Sequence, residues 1–113
     1  MKNYGYFSDN GDAFVVTEPY TETPYTNVLY NKEGYLTEIN QWAGGSSSVQ
    51  FDDLETCTVT QENGKTIYLR NEKTGKVWSI GAEPMHSDIN NFECRHSDGY
   101  STISSEFEKI SAK

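Results

Sequence analysis

Phe92-Glu93-Cys94-Arg95-His96-Ser97-Asp98-Gly99-Tyr100-Ser101-Thr102-Ile103-Ser104-Ser105-Glu106-Phe107 decides how the rest of the chain is read. Two extended runs flank Ser97-Asp98-Gly99, residue types that favour a turn. In the second run Tyr100, Thr102, Ser104 and Glu106 alternate with Ser101, Ile103, Ser105 and Phe107. Successive side chains of a strand point to opposite faces, so this run has one wet face and one face available to a core.

The pattern repeats outward from there. Ala13-Phe14-Val15-Val16-Thr17, Asn27-Val28-Leu29-Tyr30, residues 35–39, Val49-Gln50-Phe51, residues 56–60, residues 66–70 and Val77-Trp78-Ser79-Ile80 are further short β-type runs. Between them lie turn signals, among them Asp9-Asn10-Gly11-Asp12, Asn31-Lys32-Glu33-Gly34 and Glu72-Lys73-Thr74-Gly75-Lys76. Asn63-Gly64, between Thr58-Val59-Thr60 and Ile67-Tyr68-Leu69, is the clearest hairpin, because Asn-Gly suits positive φ. No window of helical length keeps apolar residues at a 3.6 spacing. The expectation is an all-β antiparallel sandwich, one domain over residues 1–113, with a mobile loop at Gly44-Gly45-Ser46-Ser47-Ser48.

Composition narrows the function classes. The apolar share is 35% and the aromatic share 13%, so a single thin core is built largely from rings on pleated surfaces. A net charge of −8 with scattered Lys and Arg excludes a general nucleic-acid binder and opposes an anionic membrane surface. Residues 1–7 hold one Lys and no apolar run, so no secretory signal is expected. Cys57 and Cys94 then read as reduced thiols of a cytoplasmic protein.

Catalytic machinery is not visible. Asp52 and Asp53 are adjacent and point to opposite faces of a strand; Glu106 and Glu108 flank Phe107 near the end of the sequence. Neither pair reads as an acid and base held across a glycosidic bond. His86, Cys94 and His96 lack the closely spaced ligand pairs of a zinc site, and His96 reads as a hydrogen-bonded histidine inside the sandwich. Cys57 has no base nearby in sequence to activate it. No catalytic residue, metal site or cofactor is expected.

Across most of its length the chain resembles the N-terminal region of glycoside hydrolase family 94, the cellobiose, cellodextrin and chitobiose phosphorylases. Tyr4-Gly5-Tyr6-Phe7-Ser8-Asp9 is similar to the family's Tyr-Gly-Tyr-Phe-Asp opening, and Ala13-Phe14-Val15-Val16-Thr17 to the strand after it. Thr23-Pro24-Tyr25-Thr26-Asn27-Val28-Leu29 resembles Thr-Pro-x-Pro-Trp-x-Asn-Tyr-Leu, with Tyr25 where Trp is usual. Ala43-Gly44-Gly45-Ser46-Ser47 resembles Ala-Gly-Gly-Tyr-Ser, without its Tyr. Gly75-Lys76-Val77-Trp78-Ser79-Ile80 resembles Gly-x-Tyr-Trp-Ser-Pro, and Arg95-His96-Ser97-Asp98-Gly99-Tyr100-Ser101 resembles Arg-His-Gly-x-Gly-Tyr-Thr.

The resemblance implies the large β-sandwich, or supersandwich, that precedes an (α/α)6 barrel and borders the sugar site. It places the catalytic Asp and the phosphate-binding residues in that barrel, outside this sequence. It also implies a truncated sandwich, a fragment or pared-down relative, whose open edges call for a homodimer. The expected function is a non-catalytic, carbohydrate-associated sandwich with an oligosaccharide as ligand. Trp42, with Asn40 and Gln41 before it and a glycine loop after it, is the leading sugar-contact candidate. Tyr25 and Trp78, in the family-like segments, complete the candidate set. The competing expectation is an acidic dimerisation or protein-interaction module without a sugar.

Overall fold

The computed structural model describes residues 3–51, 55–60 and 65–113. The described residues form strands and no helix: β1 (Gly5–Phe7), β2 (Ala13–Val16), β3 (Thr26–Tyr30), β4 (Tyr35–Asn40), β5 (Ser47–Phe51), β6 (Glu55–Thr60), β7 (Tyr68–Arg70), β8 (Val77–Ser79), β9 (Asn90–Ser97), β10 (Tyr100–Phe107) and β11 (Ile110–Ala112). One sheet has the order β1-β2-β9-β10-β11, a second is the meander β3-β4-β5-β6, and β7-β8 is a two-stranded ribbon. Every pairing is antiparallel. The all-β, antiparallel expectation holds.

The β9-β10 hairpin has the alternation expected of it. Val16, Cys94 and Ile103 fall in one row across three strands, and Phe14, His96 and Ser101 in the next. These rows line the inner face. Val16, Cys94, Ile89 and Phe92 are buried together, with Phe14, Tyr25, Ile103 and Phe107 packed on them. A bulge between Ser104 and Glu106 re-aims the end of β10, and Phe107 stacks on Trp78 with ring centroids 4.9 Å apart.

Polar ties lock the layers in register. His96 Nε2 lies 2.8 Å from the Tyr25 carbonyl oxygen, and Ser101 Oγ lies 2.9 Å from His96 Nδ1. A carbonyl only accepts, so Nε2 carries the proton and Ser101 donates to Nδ1. His96 is thus the hydrogen-bonded core histidine the sequence indicated. Asn27 Nδ2 donates to the Ser97 and Tyr100 carbonyls and to Ser101 Oγ, fixing β3 over the β9-β10 turn. Ser105 Oγ donates to the Ile80 carbonyl and ties β10 to the chain leaving β8.

Two expectations need correction. The 58–60 and 67–69 segments are not paired with each other: β6 lies on β5, and β7 pairs with β8. Asn63-Gly64 lies outside the described residues. The hairpin forms one turn later, where Asn71 N donates to the Lys76 carbonyl and Gly75 takes a φ of 73°. The second correction concerns 44–48. Gly44 and Gly45 are buried, and Ser47 and Ser48 are already in β5. Glu38 N donates to the Ser46 carbonyl at 2.8 Å, and Ser46 N and Oγ donate back to the Glu38 carboxylate. The stretch is a hydrogen-bonded, buried turn.

Candidate functional site

Three connections converge at one end of the sandwich: residues 17–25 after β2, 41–46 after β4, and 80–89 after β8. Gln41 holds them together. Its side chain is fully buried; Oε1 accepts from Tyr25 N at 2.8 Å and Nε2 donates to Thr21 Oγ1 at 2.6 Å. Its carbonyl accepts from Ala82 N, which brings in the third connection. Asn40, also buried, caps the turn through Oδ1, which accepts from Trp42 N at 3.0 Å and Gly44 N at 2.9 Å. Both amide oxygens are therefore used by the protein's own backbone N–H groups, and they position the neighbouring Trp42.

Trp42 is half-buried, and its indole Nε1 donates to the Pro19 carbonyl at 3.1 Å. That bond fixes one edge of the ring beneath the 17–25 connection. Next along that connection, the Tyr20 ring stacks on His86 with centroids 4.0 Å apart, and the Tyr20 hydroxyl donates to the Ser87 carbonyl. His86 Nδ1 lies 2.7 Å from Glu83 Oε1, and its side chain is largely exposed. Burial, with the Glu83 and Asp88 carboxylates behind it, holds the Tyr20 hydroxyl above the ordinary tyrosine range. Tyr20 and His86 thus present aromatic surface beside the carboxylate of Glu83, which is hydrogen-bonded to His86, and Trp42 is tied to the same connection at Pro19. Tyr20 and its pairing with His86 went unread in the sequence, because a Pro-Tyr dipeptide and an isolated His carry no periodic signal.

The remaining candidates lie elsewhere. Tyr25 stacks on Phe14 at 5.7 Å, meets Tyr4 edge-on at 6.2 Å, and is tied to the Trp42 turn by its backbone N, which donates to Gln41 Oε1. Trp78 is 2% exposed and belongs to the core stack with Phe107. The structure thus joins Asn40, Gln41 and Trp42 in one turn, links Tyr25 to it through the backbone, and separates Trp78.

Among the tempting catalytic groups, Asp52 and Asp53 lie outside the described residues, as does the Cys57 side chain. Glu106 accepts from Asn91 Nδ2, and Glu108 pairs with Lys76 on the exposed surface. Cys94 is a free thiol in the core, pushed up to about 12 first by burial and then by the Glu93 charge. A thiol so disposed is not a nucleophile. Among the described residues no group of His, Cys, Asp and Glu is arranged to hold a metal, and no helix is long and apolar enough to cross a membrane.

The architecture is thus an antiparallel β-sandwich whose polar side chains mostly serve the fold. A family model described as "Glycosyl hydrolase 94, supersandwich domain" matches residues 12–113, and the chain belongs to that family. It is 32% identical over 117 residues to an N,N'-diacetylchitobiose phosphorylase of Vibrio furnissii, covering 96% of this chain and 14% of that protein. A 3-O-beta-D-glucopyranosyl-beta-D-glucuronide phosphorylase of Paenibacillus borealis is 33% identical over 109 residues, with the same two coverages. A solabiose phosphorylase of the same organism is 27% identical over 120 residues, covering 99% of this chain and 16% of the relative. The chain therefore spans only a small part of the length of the curated relatives it matches.

Proposed function

We propose that this chain is a non-catalytic, carbohydrate-associated β-sandwich that receives a sugar ring at the loop end carrying Trp42. The observation that carries the reading is the supersandwich family match over residues 12–113, within phosphorylases named for disaccharides. A pyranose lays its C–H face on an aromatic ring while a few polar groups hold its hydroxyls. Trp42 offers the ring; Asn40 and Gln41 hold it in place from behind, and Tyr25 anchors the connection that passes over it. Trp78 belongs to the core and acts as an internal reference.

The reading is tested by titrating the protein with cellobiose and N,N'-diacetylchitobiose while following tryptophan emission. A saturable change that disappears in Trp42→Ala is expected. No change in the wild type up to tens of millimolar sugar contradicts it.

A second reading, an acidic dimerisation or interaction module, is favoured by a separate feature. Val28 and Tyr30 of the edge strand β3 share one exposed face of the meander with Leu36 of β4, and Tyr30 is 81% exposed. The accessible surface is 7779 Å², against about 6,300 Å² for a monomer of this mass. The excess is larger than the roughly 800 Å² that each partner of an ordinary interface buries. Light scattering decides it: a dimer in the wild type that becomes a monomer in Tyr30→Lys supports this reading, and a monomer at high concentration ends it.

A further inference from the structure

On the side of the sandwich where β4 and the chain leaving β8 stand away from β10, the layers do not close. The resulting cleft has a volume of about 420 Å³, within the range of small-molecule pockets. Its walls are branched and apolar: Ile39 from β4, Ile67 before β7, Ile80 after β8 and Ile103 from β10, with Ala43 and Gly81 as neighbours. Apart from Ile67, which stands out into solvent, these isoleucines are half-buried. They lack the complete cover given to Val16 and Cys94 in the neighbouring core.

Charge distinguishes this cleft from the molecule's other apolar surface. The protein carries a net charge of −8, yet the charged side chains lining the cleft are both lysines, Lys65 and Lys113, and no Asp or Glu lines it among the described residues. Lys65 is held in place: its Nζ donates to the Gly45 carbonyl at 2.6 Å, which leaves two of its three N–H donors unused by that bond. Burial of the amine holds its pKa below the ordinary lysine range, and the Glu38 carboxylate opposes that shift without being part of the lining. A partly desolvated cation at the mouth of an apolar cleft is relieved by an anion that brings its own apolar body.

We infer that this cleft is a binding site for a small apolar anion, an aryl or medium-chain alkyl carboxylate or sulfonate. Its tail lies among Ile39, Ile67, Ile80 and Ile103, and its head group lies at Lys65. The cleft adjoins the Trp42 turn through Ala43 and Gly81, but it takes a ligand of different chemistry from the sugar proposed for that turn.

The six isoleucines of the chain supply the test. Four line the cleft, whereas Ile89 sits in the closed core and Ile110 on β11. With isoleucine methyls isotopically labelled, decanoate is titrated and the methyl NMR spectrum recorded. Saturable shifts at Ile39, Ile67, Ile80 and Ile103, with Ile89 and Ile110 unmoved, are expected. Displacement of 8-anilinonaphthalene-1-sulfonate by decanoate gives the affinity. Lys65→Glu, checked for folding by its circular dichroism and melting temperature, weakens decanoate about tenfold or more. Wild-type protein keeps the proposal testable if that variant does not fold: decyl glucoside and decylamine compete far more weakly than decanoate. Equal competition by the neutral and cationic amphiphiles, shifts concentrated outside the four cleft methyls, or no binding of decanoate below its micellar concentration would each overturn it.

Discussion

His96 sits between a carbonyl that can only accept and a hydroxyl that can donate, and both of its ring nitrogens are satisfied in the neutral form. Burial lowers its pKa below the ordinary value of 6.5, while the bond to Tyr25 pulls the other way. The unfolded chain therefore takes up this proton at higher pH than the folded one. The stability contributed is complete above the unfolded value, falls as pH drops through about 6.5 towards the lower folded value, and changes no further below it. Denaturant melts from pH 8 to pH 5 should show that loss, and His96→Gln should remove its slope while lowering stability at pH 8. A wild type of constant stability over that window contradicts the assignment. Backbone geometry gives a second prediction at this scale. Phe107 and Ile110 pair across a two-residue turn in which Glu108 and Lys109 take φ of 48° and 68°. Left-handed residues bearing a Cβ are strained, and a hairpin turn of this kind favours glycine. Lys109→Gly should stabilise the protein by about 0.5–1 kcal/mol in thermal melts, and no gain would mean that the strain is relieved elsewhere.

The turn from β4 to β5 shows how an element can be legible as a pattern and still be misread in character. Gly44-Gly45 was visible as a chain reversal, but glycines signal positive φ and close approach as well as freedom. Gly45 has a φ of 112°, and a Cβ there would lie 2.3 Å from the Glu38 carbonyl oxygen. Gly45→Ala should cost about 2–4 kcal/mol. Gln41→Ala should cost about 1–3 kcal/mol, because it orphans the buried-side donor of Tyr25, and should release the 17–25 connection as well. Amide hydrogen exchange at Tyr25 and Trp42 separates a local loosening from global loss of structure. Strands whose signal is alternation, such as β10, were readable to within a residue or two. Of the three-residue strands, β7 and β8 were read as well, but β1 and β11 were not: β1 contains Gly5, where a Cβ would lie 2.2 Å from the Val15 carbonyl oxygen, and β11 follows a turn with no turn-forming residues. The Asn63-Gly64 hairpin failed for a different reason. Local turn chemistry cannot tell which of two neighbouring turns a short strand will use, and β7 found its partner across Asn71–Lys76. Of the candidate site, Trp42 and its turn were readable from polar and glycine neighbours. The inward use of Asn40 and Gln41 was not, since an amide that binds sugar and one that binds backbone are spelled alike.

The whole molecule is broad and thin, 50 × 36 × 22 Å, with a radius of gyration of 15.5 Å against about 13 Å for a compact chain of this length. Extended shape, excess surface and open edges at β1, β11 and β3 describe a sandwich whose layers are incompletely covered. The two tryptophans divide those surfaces cleanly: Trp42 at the loop end and Trp78 closed in the core. The most direct test of the central claim is therefore the pair of indole N–H signals in a nitrogen-15 NMR spectrum, recorded as cellobiose or N,N'-diacetylchitobiose is added. A saturable shift of the Trp42 indole with Trp78 unmoved is the predicted result. An unmoved Trp42 indole at saturating sugar, in a protein whose spectrum is otherwise well dispersed, would contradict the claim that this end of the sandwich receives a sugar.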